Sequence, residues 1–147
     1  MVNEPTKKSC IFTTLDDKLE NIDKVVKYWK DTSEKDYQTM QNLLKSKDFS
    51  WAMFLGHLVL EKLLKAHYVK SQEKHTIFTH DLLRLASKTG LEISEEYEEW
   101  LDEISTFNIN ARYDNYKQDF YKLCTKEFTD LWSKRIEILR QWLINKL

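Results

Sequence analysis

Gly56, Gly90 and Pro5 are the whole supply, in a chain of 147 residues, of the two residue types that most readily interrupt regular structure. A hairpin-rich fold needs turn formers at almost every reversal, so an all-β architecture has almost no turn chemistry to draw on here. Helix is the default. The two glycines also stand too far apart for a phosphate-cradling glycine loop or a dinucleotide-binding fingerprint, which both place glycines within a few residues of one another. The length suits about one domain, with enough chain to bury its own core. With 41% hydrophobic and 32% charged residues, the chain matches neither a disordered polyelectrolyte nor a membrane protein.

Hydrophobic periodicity divides the chain into an N-terminal arm over 1–21, whose scattered apolar residues leave its packing open, and one helical domain over 22–147. Ile22, Val25, Val26, Trp29, Tyr37, Met40, Leu43 and Leu44 recur at three- and four-residue steps and predict a long helix to about Ser46. Asp48 or Ser50 then offers an N-cap for a second helix over 51–71, whose apolar surface is so wide that it reads as the centre of the fold. Thr79 and Asp81 open a short third helix that Gly90 closes, and Ser94 caps a fourth that runs to about Phe107. Residues 108–117 hold three asparagines, an arginine at 112, an aspartate at 114 and two tyrosines, and they are expected to form a loop. A last helix follows over 118–147. The expected fold is therefore all-α, an antiparallel up-and-down bundle of about five helices.

The 23 Lys and Arg nearly balance the 24 Asp and Glu, so no global field draws the chain to nucleic acid or to an anionic membrane. Nineteen of those cations are lysines, which makes each of the four arginines informative. Cys10 and Cys124 form no CxxC, the N-terminus carries no signal-like apolar stretch, and no run of 18 apolar residues occurs. A cytoplasmic protein with free thiols and no membrane attachment is expected. His57, His67, His75 and His80 form no ligand spacing, so neither a metal site nor a cofactor is expected.

Two constellations carry chemistry. His57, Glu61 and Lys65 share one face of the central helix at four-residue steps, either as a solvated stripe of ion pairs or as a buried charge with partners. Arg112, between Ala111 and Tyr113, belongs to no solvated charge run and is expected to point inward or into a groove. There it either binds a phosphate bidentately or pins its loop to a carboxylate such as Glu61. Asn110, Tyr113 and Tyr116 could add base-edge hydrogen bonds and stacking, or simply pack. No serine or cysteine has a base beside it in sequence.

Three stretches in order carry a family likeness: His57-Leu58-Val59-Leu60-Glu61-Lys62-Leu63-Leu64-Lys65-Ala66, Thr79-His80-Asp81-Leu82-Leu83-Arg84-Leu85-Ala86, and Phe107-Asn108-Ile109-Asn110-Ala111-Arg112-Tyr113. They resemble the second-helix signature, the Thr-His-Asp-Leu segment and the Ala-Arg-Tyr loop of HEPN domains, the higher eukaryote and prokaryote nucleotide-binding family. The resemblance implies a helical bundle that commonly forms homodimers, a role in nucleotide or RNA binding, and in many members pairing with a minimal nucleotidyltransferase as toxin and antitoxin. Ribonuclease members carry a His separated from the Arg by four to six intervening residues, where this chain has Lys117, Gln118 and Asp119. Asp114 also replaces a proline common after the Tyr. The resemblance thus implies a non-catalytic binding module using Arg112, Asn110, Tyr113, Tyr116, Glu61 and His57. The alternatives are a metal-independent ribonuclease in which His57, His80 or Tyr116 replaces the missing His, and a protein-binding scaffold.

Overall fold

The computed structural model describes residues 21–147, so of the arm expected over 1–21 only Asn21 falls within the described residues. Six helices follow in order: α1 Ile22–Lys45, α2 Phe49–Gln72, α3 Leu82–Ser87, α4 Glu95–Arg112, α5 Asp114–Leu123 and α6 Lys126–Lys146. Asn21 caps α1 by accepting from the Lys24 amide, as Asp81, Ser94 and Thr125 cap α3, α4 and α6 from their own side chains. A three-residue connection returns the chain from α1 into α2, with Lys47 at a positive φ of 67°. These two helices make the most extensive pair in the bundle. Gly90, at φ 81°, turns the chain after α3, the conformation for which glycine suits the position best.

Helix α2 is the centre, as its wide apolar surface predicts: it contacts each of the other five helices. Met53, Val59, Leu60, Leu63, Leu64 and Val69 from this helix are all fully or almost fully buried. Gly56 marks the crossing with α6, because a Cβ there would come within 2.5 Å of the Ile136 side chain. Buried polar contacts tie α1 and α6 to α2. Ser33 of α1 donates to the Val59 carbonyl at 2.8 Å, and the His67 ring meets the Leu143 carbonyl of α6 at 2.8 Å. Arg140 joins α6 to α1 by bonding Glu34 at 2.7 Å and lying over the Tyr37 ring.

Two expectations are corrected. Residues 108–117 are not a loop: α4 runs on through Arg112, Tyr113 alone is extended, and α5 starts at Asp114. Asparagine's weak helix propensity is outweighed because Phe107, Asn108 and Ala111 continue the buried stripe begun by Leu101 and Ile104. The last helix is in turn two helices, broken at Cys124, where Thr125 accepts from the Phe128 amide and starts α6 afresh. The bundle has six helices among the described residues where about five were expected.

Candidate functional site

Helix α4 presents Asp102, Ser105, Thr106, Ile109 and, at its end, Arg112 along one side of an open cleft of about 380 Å³. The wall opposite is the segment that leads into α3, with His80 and Asp81. The Leu82 amide donates to Ser105 Oγ at 2.8 Å and fastens that wall to the middle of α4. Tyr113 closes the Arg112 end.

Arg112 sits at the C-terminal end of α4, where a cation is favoured by the helix dipole. Its guanidinium is folded back on the preceding turn. Nε donates to the Asn108 carbonyl at 3.2 Å and to Asn108 Oδ1 at 3.1 Å, and Nη2 also bonds that Oδ1. The Phe54 and Tyr113 rings each lie 5.4 Å from its Cζ. These contacts fix the plane of the guanidinium while Nη1 makes no hydrogen bond among the described residues. Asn108 is only 2% exposed, so its amide oxygen depends on this arginine as much as the arginine depends on it.

Behind His80 lies the charged face of α2. Glu61, 3% exposed, bonds Lys65 Nζ through Oε2 and His80 Nδ1 through Oε1, each at 2.9 Å. Burial pushes the Glu61 carboxyl up, but the hydrogen bonds from Lys65 and His80 outweigh it and leave the group below its usual range, hence ionised at neutral pH. An ionised carboxylate only accepts, so His80 Nδ1 is the donor in this bond. His57, fully buried, directs Nε2 to the His80 carbonyl at 2.9 Å, and burial lowers its pKa. Both the ring and the backbone of His80 are thereby held from α2. Phe78, 93% exposed, stands edge-on to the His80 ring at 5.9 Å.

Several sequence-level expectations meet this geometry differently. Arg112 does face a groove, together with Tyr113 and with His80. The Arg112–Glu61 pairing does not form, because Glu61 is occupied by Lys65 and His80 and Arg112 by Asn108. The solvated-stripe reading of His57, Glu61 and Lys65 is likewise overturned: the first two are buried and bond His80, which lines the cleft. Asn110 and Tyr116 line a separate, smaller concavity of about 170 Å³ with Asp119, Phe120 and Leu123. Asn108, Asp102 and Ser105 were missed. Extending α4 by one turn in the sequence reading would have placed Asn108 four residues before Arg112 on the same face.

Among the described residues no three His, Cys, Asp or Glu side chains are grouped to hold a metal, and no helix is long and apolar enough to cross a membrane. The HEPN domain family model matches residues 26–147. No curated relative matches the chain. The chain is similar in structure to TT1696 from Thermus thermophilus, with a TM-score of 0.72 and 16% identity over 83% of this chain and 98% of that one. At that identity the likeness is one of fold alone.

Proposed function

Because the chain belongs to the HEPN domain family, we propose that it binds the phosphate of a nucleotide or of RNA at the α3–α4 cleft, with Arg112 as the contacting residue, and does not cleave it. The observation that carries this reading is the guanidinium itself: it is exposed in a cleft, locked in plane by Asn108 and two aromatic rings, and keeps Nη1 free of protein partners among the described residues. A fork fixed in that way is pre-organised for a phosphate oxygen pair and loses little entropy on binding. The positions beyond Arg112 where the family's ribonucleases carry their His hold Lys117, Gln118 and Asp119, which argues for binding without cleavage.

Titration calorimetry of the native protein and Arg112→Ala with a nucleoside monophosphate and with short single-stranded RNA tests the assignment. A charge-assisted bond is worth about 1.5 to 3 kcal/mol, so the variant is expected to bind at least about tenfold more weakly. Unchanged affinity overturns the site.

A second reading, metal-independent RNA cleavage, is favoured by one observation: His80 shares the cleft with Arg112. Cleavage of mixed RNA that persists in chelator and is lost in His80→Ala selects it over the first. Homodimerisation and pairing with a minimal nucleotidyltransferase accompany the family role we propose. The exposed Tyr116, Tyr121 and Leu123 of α5 supply apolar surface for such an association.

A further inference from the structure

The cleft beside α4 is graded in charge along its length. From Asp102 to Arg112 the helix rises about 15 Å, at about 1.5 Å per residue. Arg112 occupies one end with its free Nη1. Asp102, exposed and without a hydrogen bond or ion pair among the described residues, occupies the other. Between them, the bond from the Leu82 amide to Ser105 Oγ sets the His80–Asp81 segment against the middle of the groove. His80 lines the groove there, its ring held by the hydrogen bond from Nδ1 to Glu61. Asp81 commits Oδ1 to the Arg84 amide as the α3 cap, so its charge adds to the acidic side of the same wall.

The groove therefore offers, in order, a cation, an imidazole and a carboxylate. A matching ligand carries an anion at one end, hydroxyls, which can donate or accept, in the middle and nitrogen-bound hydrogens at the other. We propose that the cleft takes a single ribonucleotide rather than an RNA strand, with its phosphate at Arg112, its ribose hydroxyls at His80 and a donor-bearing base edge at Asp102. This rests on the phosphate reading given above. An RNA strand laid along the same groove repeats its negative charge at every residue and sets the following phosphate against Asp81 and Asp102, where like charges repel. A base such as guanine, with two adjacent N–H donors on one edge, satisfies both oxygens of a carboxylate.

The test is calorimetry of the full chain at one fixed salt concentration with four probes: guanosine 5′-monophosphate, ribose 5-phosphate, inorganic phosphate and a short single-stranded RNA. Guanosine 5′-monophosphate is expected to bind about tenfold more tightly than ribose 5-phosphate, the worth of one charge-assisted contact, and more tightly than the RNA. Asp102→Asn, at an exposed position that supports no other side chain, should erase most of that advantage and leave ribose 5-phosphate unaffected. Equal affinity for the nucleotide and ribose 5-phosphate, an RNA that binds more tightly than the nucleotide, or an Asp102→Asn protein with native preference overturns the graded groove. If in those cases Arg112→Ala still abolishes binding, the phosphate reading survives alone. If Arg112→Ala changes no probe's affinity, or no probe binds, the phosphate reading falls and this inference with it.

Discussion

Glu61 shows how much one side chain can organise. It is a carboxylate inside an apolar helix bundle, and it keeps its charge because Lys65 and His80 each give it a hydrogen bond at 2.9 Å. Removing one partner of a buried pair leaves the other charge poorly solvated, and Glu61→Gln should therefore destabilise the protein by about 3 kcal/mol in urea unfolding. A loss well under about 1 kcal/mol would mean that Lys65 reaches water unaided, as surface pairs do. The helical spacing of His57, Glu61 and Lys65 was visible in the sequence. Their burial was not, because a helix with apolar residues on nearly every side does not reveal which side meets solvent. Nor could spacing reveal His80, which comes from 19 residues further on.

Among the elements, the stretch from α4 to α6 departs most from what the sequence suggests. Asparagines at 108 and 110 argue for a loop on propensity, yet packing of Phe107 and Ala111 keeps α4 going to Arg112 and so decides where the guanidinium points. Further on, regular apolar spacing conceals a break, since Phe120, Cys124 and Phe128 stay buried or half-buried on both sides of it. What restarts the chain is the Thr125 cap, whose Oγ1 accepts from the Phe128 amide at 3.2 Å. Thr125→Ala should cost about 1 kcal/mol in thermal or urea unfolding, the usual worth of a cap. A neutral result would show that α5 and α6 hold their angle by packing alone. By contrast, α1 to α3 were legible within a few residues, because clear apolar periods there are bounded by Asp48, Asp81 and Gly90.

For the molecule as a whole, burial of two histidines couples stability to pH. Burial is the largest influence on both His57 and His67 and lowers each from the ordinary value of 6.5, against the carbonyls of His80 and Leu143 that pull the other way. As pH falls through about 6.5 the unfolded chain takes up protons that the folded chain refuses, so the unfolded state gains. The urea midpoint should accordingly be lower at pH 5.5 than at pH 7.5. Equal midpoints would show that neither histidine is held neutral. A further loss is expected in more acid solution, below the ordinary carboxylate value of 4.5, as Glu61 takes up its proton and releases Lys65 and His80. These groups lie on α2 and face α6 and the segment that leads into α3, so the pH response reports on the bundle's central packing.

The sequence by itself determined that the chain is helical, that its second long helix lies at the centre, and which family it joins. Those properties rest on local periodicity, on the scarcity of chain-breaking residues and on short motifs, all of which are written along the chain. Only the tertiary structure decided that Arg112 answers to Asn108, that Glu61 answers to His80, and that Asp102 shares a groove with both Arg112 and His80. Each of these depends on which faces of packed helices meet. That is settled by burying the whole apolar surface at once, and no single stretch of sequence contains the answer.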